Sequence, residues 1–116
     1  MRVLCFGSKS WMDFDLIHGE LERIKYECNE QITVVYNGER GAGKMSAFLA
    51  QRLGYRIHRV MPEGKDSKSV FNNLLSIMDT KPDRVIAFHN NGSPEVLKLV
   101  AEARKRNLKT KLVLGC

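Results

Sequence analysis

The chain is expected to fold as a single three-layer α/β/α sandwich around a five-stranded, mainly parallel sheet. Three observations carry that expectation. Short apolar or β-branched runs alternate with segments whose apolar residues recur at helical spacing. Glycine, proline or asparagine marks most of the boundaries between them. With 116 residues and 43% hydrophobic content, the chain can bury one core and has no room for a second. Each helix then carries the chain back to the starting edge of the sheet, which makes successive strands parallel. The arrangement is Rossmann-like, one domain spanning residues 1–116.

The elements follow in order. "RVLCF" is a short apolar strand that ends in the glycine-bearing turn "GSKSW". In "DFDLIHGELERIKYEC", Ile17, Leu21, Ile24 and Cys28 fall at helical spacing, Asp13 or Asp15 serves as N-cap, and Gly19 weakens the interior. "QITVVYN" is β-branched and forms the second strand. From Ala42 onward, Met45, Phe48, Leu49 and Leu53 are expected to line the inward face of a helix that stops at Gly54. "YRIHRVM" alternates Tyr55, Ile57 and Arg59 against Arg56, His58 and Val60, a strand less buried than the others. After the loop "PEGKD", Phe71, Leu74, Leu75 and Met78 mark a third helix. "RVIAF" is apolar throughout and reads as a strand covered on both faces. The run "SPEVLKLVAEARKR" opens with Ser93 as N-cap, Pro94 at the first helical position and Glu95 in the first turn, and points Val96, Leu99, Val100 and Ala103 inward. "TKLVLG" is the last strand.

Composition narrows the functional classes. No apolar run approaches the ~20 residues of a membrane span, and "MRVLCFG" lacks a signal-peptide layout, so a cytoplasmic protein with no membrane partner is expected. Cys5, Cys28 and Cys116 form no C-x-x-C pair, which suggests neither a disulfide framework nor a metal site, and no cofactor is implied. The balance of 19 basic against 13 acidic residues gives a net charge of +6, suited to an anionic partner. Only "EARKRNLKTK" is locally dense, with Arg104, Lys105, Arg106, Lys109 and Lys111. It is either a solvated helix end complementing the macrodipole or a nucleic-acid patch.

In parallel sheets ligands bind beyond the carboxyl ends of the strands. That rule selects "GSKSW", "NGERGAGK", "MPEGKDSKS" and "HNNGSPE". The second has the glycine and lysine spacing of a triphosphate loop, but such a loop needs a Ser or Thr directly after the lysine for magnesium. Met45 stands there, and Ser46, one residue later, is turned about 100° away on a helix. "RVIAF" runs into His89 and not into a metal-binding carboxylate. A simpler anion site survives this test. Gly38, Gly41 and Gly43 would let backbone approach an anion, the helix start would offer unpaired amides, and Arg40 or Lys44 would pair with phosphate.

Taken together and in order, "GSKSW", "VVYNGERGAGKMSAFLAQRLG", Asn73 before "KPDRVIAF", and the glycine-containing loop before the last helix resemble the small YspA-type proteins of the SLOG superfamily, which also holds DprA and the Lonely Guy phosphoribohydrolases. The resemblance implies a nucleotide or nucleotide-derived ligand bound across the ends of strands one, two and four. It implies contacts from Gly7 and Ser8, with Lys9 close by. Gly38, Arg40, Gly41 and Ala42, between Asn37 and Lys44, match the second motif, and Asn73 matches the asparagine of the family's R-N pair, with Asn72 in the arginine's place. Gly92 and Ser93 match the end of P-G-G-x-G-T, whose first residues are replaced here by His89, Asn90 and Asn91. The family's hydrolytic glutamate falls one position after Glu95, at Val96. These departures point to binding ahead of hydrolysis. Self-association as a homodimer or larger oligomer is common in the superfamily.

Individual residues carry alternatives. Trp11 is either a stacking partner for a base or a staple on the core. His89 is a candidate acid-base group, and Asn90, Asn91 and Ser93 are candidate donors to a sugar or phosphate. Glu39 either accepts from a ribose hydroxyl or is solvated. Three functions follow: a module that senses or sequesters a nucleotide-type ligand; an N-glycoside hydrolase using Glu95, Glu39 or His89; and a single-stranded nucleic-acid binder resting on the +6 charge.

Overall fold

One jump of the chain organises the molecule. In the computed structural model, which describes residues 1–90 and 93–115, the strands are β1 (Arg2–Gly7), β2 (Thr33–Tyr36), β3 (Arg56–Arg59), β4 (Arg84–His89) and β5 (Thr110–Leu114). They lie in the order β3-β2-β1-β4-β5, with every neighbouring pair parallel. The chain steps outward from β1 to β3, then jumps back past β1 to β4 and continues the other way. Right-handed crossovers require the helices of the two excursions to cover opposite faces. Accordingly α1 (Phe14–Glu27) and α2 (Ala42–Arg52) pack on one face, around Ile17, Leu21, Leu49 and the strand residues Val3, Cys5, Ile86 and Phe88. Helices α3 (Ser67–Asp79) and α4 (Pro94–Lys105) pack on the other, around Leu4, Phe6, Val35, Val85 and Ala87. The result is the three-layer Rossmann-like sandwich the alternation predicted, with all five strands parallel.

Local chemistry explains the boundaries. The Asp13 carboxylate accepts the Leu16 amide at 3.1 Å and starts α1. Asp66 does the same for Ser69 at the start of α3 and also takes the Ser69 hydroxyl at 2.7 Å, bonds that hold its carboxyl below the usual range. Gly54 closes α2 in the left-handed region at φ 85°, as expected of that position. Val96, Leu99, Val100 and Ala103 are all buried on α4. Ser93 occupies the N-cap position of α4 without making a side-chain capping bond.

One expectation needs correction. Phe48 is 53% exposed, with the Arg52 guanidinium 5.6 Å from its ring centre, and Met45 is only half-buried. The face of α2 that meets the sheet is made of Ala42, Gly43, Ser46, Ala47, Leu49 and Ala50, small side chains that admit the helix close to the strands. Three residues of the basic C-terminal cluster are paired with carboxylates, while Arg104 and Lys109 are exposed. Arg106 pairs with Glu102 at 2.7 Å and with Asp79 at 3.1 Å, Lys105 pairs with Glu102, and Lys111 reaches Glu20 at 2.8 Å.

Strand burial follows sheet position. Central β1 and β4 are apolar and covered on both sides, whereas the edge strand β3 exposes Arg56, His58 and Arg59. Among the described residues no helix is long and apolar enough to cross a membrane. Cys5, in the middle of β1, is wholly buried, and burial pushes its thiol up to about 12, slightly offset by a hydrogen bond with Ser46. The fold therefore favours the protonated thiol, a contribution present below the ordinary value of 9.0 and lost as pH climbs toward 12. Alkylation of the native protein at pH 8, mapped by peptide mass spectrometry, should label half-buried Cys28 and spare Cys5 until the chain is denatured.

Candidate functional site

The carboxyl ends of β1, β2 and β4 are joined by one residue. Ser8 is 1% exposed, and each of its polar groups is used. Its amide donates to the Phe88 carbonyl at 2.9 Å, and its own carbonyl accepts from the amides of Trp11 (3.2 Å) and Ala42 (3.1 Å). Its hydroxyl accepts the Asn90 amide at 3.0 Å. Ser10 and the Asn90 side chain exchange hydrogen bonds at 2.9 and 3.2 Å alongside. The loops after β1, β2 and β4 therefore behave as one unit.

This junction explains the glycines in physical terms other than those expected. A Cβ on Gly7 would collide with the Phe88 carbonyl oxygen and lie 2.8 Å from the Ala42 Cβ. One on Gly41, at φ 85°, would collide with the Ser8 carbonyl oxygen and lie 2.6 Å from Lys9 Cα. Gly38, also at φ 85°, sits under Met61 and Arg59. These positions allow loops to touch each other. The first turn of α2 is likewise spoken for. The Ala42 amide goes to Ser8, and the Lys44 amide goes to the Glu39 carbonyl at 3.1 Å. Two amides of the cradle expected at the glycine loop are thus taken by the protein's own carbonyls.

A cleft of about 380 Å³ opens beside this junction on the α3/α4 face. Gly7, Lys9 and Ser10 contribute from the β1 loop, and Asn37, Glu39, Arg40 and Gly43 from the β2 loop. Ser93 and Glu95 contribute from the start of α4. Asn37 is buried, and its side-chain oxygen accepts the Glu39 amide at 3.2 Å, which shapes the loop that presents Glu39 and Arg40. Of the expected ligand contacts, the cleft brings together Gly7, Lys9, Asn37, Glu39, Arg40, Ser93 and Glu95. Lys9, Arg40 and Glu95 are exposed and Glu39 half-buried, two cations and two carboxylates around one opening.

Other expected residues lie elsewhere. Trp11 is 2% exposed and packs edge-on against Phe88 at 5.4 Å between ring centres, with its indole N–H donating to the Asp13 carbonyl. It is a core staple and no base can stack on it. Ser8 and Ala42 are buried in the junction, and Gly38 and Gly41 serve loop packing. Lys44 is exposed outside the cleft walls. Asn73 uses its side-chain amide to hold the Val60 carbonyl at 3.1 Å, which ties α3 to the end of β3, while its Oδ1 is buried with no partner among the described residues. His89 is outside the cleft walls, with Nδ1 likewise buried and unpartnered among the described residues and its carbonyl accepting the Gly115 amide. Asn90 is committed to Ser8 and Ser10. The expectations for Asn91 and Gly92 fall outside the described residues.

The cleft also has a lining the sequence reading missed. Phe6 forms part of its floor, and Ser67, Val70, Phe71 and Leu74 give it one face of α3. Their spacing of three and four residues was a legible signal, since Ser67 opens a helix from one of the four strand-end loops. Val96 and Leu99 complete the opposite wall on α4. Among the described residues no group of three or more His, Cys, Asp or Glu side chains is placed to hold a metal ion.

Fold and site together define a Rossmann-like α/β domain with a ligand-sized cleft at the carboxyl edge of its sheet, since small-molecule sites typically occupy ~300–1,000 Å³. No protein-family model matches the chain, and no curated protein matches it. Because Gly41 lets two loops meet, Gly41→Val should lower the unfolding free energy by about 2 kcal/mol or more through backbone strain and collision with the β1 loop. Urea denaturation would measure it, and an unchanged midpoint would refute that role.

Proposed function

We propose that this chain binds a nucleotide or nucleotide-derived small molecule in the α3/α4-side cleft and acts as a sensor or sequestering module. One observation carries the reading: the cleft combines an apolar interior with a charged rim at the carboxyl ends of β1 and β2. Val70 and Phe71, half-buried over a buried floor of Phe6, Leu74 and Leu99, offer carbon surface to a flat ring, and Lys9 and Arg40 offer cations to a phosphate. Glu39 and Glu95 sit within reach of the same space and suit ribose hydroxyls. Membership of the SLOG superfamily belongs to the same proposal and rests on the order of the motif loops along the chain.

A second reading, cleavage of an N-glycosidic bond, is favoured by one feature: Glu39 and Glu95 both line this cleft. Binding of single-stranded nucleic acid through the C-terminal helix is disfavoured, since Lys105, Arg106 and Lys111 are already paired with carboxylates. The first two readings part on the fate of the ligand. Native mass spectrometry of the purified protein, followed by incubation with nucleoside monophosphates and chromatography, should return the nucleotide intact. Release of free base, abolished by Glu39→Gln or Glu95→Gln, would establish the hydrolase instead. Arg40→Ala should weaken monophosphate binding roughly tenfold or more, the value of a charge-assisted hydrogen bond, without shifting the unfolding midpoint, because Arg40 is exposed. Unchanged affinity would remove the β2 loop from the site.

A further inference from the structure

Resting on the nucleotide reading, we propose that the cleft recognises the phosphate and the ring of a single nucleotide while leaving the identity of its base unread. The argument is the way polarity changes with depth. Along α3 the wall runs Ser67, Phe71, Leu74, and along α4 it runs Ser93, Val96, Leu99. At a rise of about 1.5 Å per residue, Leu74 lies roughly 10 Å deeper than Ser67, and Leu99 roughly 9 Å deeper than Ser93. Hydroxyls therefore sit at the mouth and carbon lies inside, where Leu74, Val96 and Leu99 are all buried.

Among the described residues, the polar groups of this region are at the mouth, already engaged, or, in the Asn37 NH2, able only to donate. Lys9, Glu39, Arg40 and Glu95 are carried by the loops and the first turn of α4, level with Ser93. The Asn37 side-chain oxygen takes the Glu39 amide, which leaves its NH2 as a donor that every base can meet with an acceptor, and Asn73 and His89 are not among the cleft walls. The backbone of the inner walls is helix interior or sheet ladder, whose donors and acceptors are paired. A base that enters the slot meets Phe71 and aliphatic carbon, and among the described residues its hydrogen-bonding edge meets no group that tells one base from another.

The physical consequence is an asymmetric specificity. Apolar walls separate ligands that differ by a polar substituent by only ~10–100-fold, whereas a site that hydrogen-bonds a substituent rejects its absence by ~10⁴ or more. Among the described residues the charged partners are all at the phosphate and sugar end. The volume of about 380 Å³ lies near the lower end of small-molecule sites, which suits one nucleotide and disfavours a dinucleotide.

The test is a calorimetric series on the wild-type chain with AMP, GMP, CMP, UMP, adenosine and ribose 5-phosphate at one ionic strength. The four monophosphates should bind within about tenfold of one another, and adenosine and ribose 5-phosphate should each bind roughly tenfold or more weaker than AMP. Phe71→Leu, which keeps apolar bulk and removes the ring, should weaken all four monophosphates alike. A preference above about a hundredfold for one base would overturn the base-blind slot while leaving the nucleotide reading intact. Adenosine binding as tightly as AMP would overturn the phosphate requirement. No binding of any monophosphate at millimolar concentration would overturn the nucleotide reading itself, and the slot proposal with it.

Discussion

Ser8 holds together three loops that the sheet alone would leave independent. Parallel strands deliver the loops after β1, β2 and β4 to the same edge, but hydrogen bonds in the sheet end where the strands end. Beyond that point a buried carbonyl takes the amides of Trp11 and Ala42, and a buried hydroxyl takes the amide of Asn90. Each of those amides would otherwise be desolvated without a partner, a loss of about 1–3 kcal/mol apiece. Gly7 and Gly41 are glycines because the loops must come this close, and Trp11 seals the junction from below by packing on Phe88. The side of the cleft formed by β1 and β2 inherits its rigidity from this arrangement.

What could be read from the sequence divides along a physical line. Strands and helices were legible because period and capping are local: "RVIAF" can only be a covered strand, and Asp13, Pro94 and Gly54 mark helix ends by chemistry within a turn. Phe48 was misread because helical spacing identifies a stripe but not the width of the gap the stripe must enter. α2 lies so close to the strands that alanine, glycine and serine fit there and phenylalanine does not. The packing role of Gly41 was not legible for a related reason, since a sequence shows that a backbone is free of side chains without showing what approaches it. Lys9, Asn37, Glu39, Arg40, Ser93 and Glu95 could be picked out because topology alone sends their loops to one edge. The α3 lining was legible as a helix face leaving a strand-end loop but not as a wall opposite α4, because the distance between two helices is set by packing across the whole sheet.

Charge tells a similar story. A net charge of +6 and a dense basic run suggest an anionic polymer, yet Arg106 and its neighbours are turned toward Glu102, Asp79 and Glu20. Those pairs join the end of α4 to α3 and β5 to α1, at the amino-terminal edge of the sheet, away from the cleft. They hold the Glu102 carboxyl below its usual range, chiefly through Arg106, as Arg84 does for Glu27 on the other face. The cleft gathers a balanced set instead, with two cations facing two carboxylates. Such a rim favours a ligand that carries both an anion and hydroxyl donors over a bare anion.

The arginines of β3 bear on how the protein behaves in a crowded solution. A parallel sheet that does not close leaves a strand on each flank with half of its hydrogen-bonding capacity unspent, an invitation to any extended peptide. β3 is only four residues long and displays Arg56, His58 and Arg59 to solvent. Two such flanks brought together would oppose cation to cation, and a strand this short would return few bonds for the effort. Charge on that flank thus works against the pairing of one β3 edge with another.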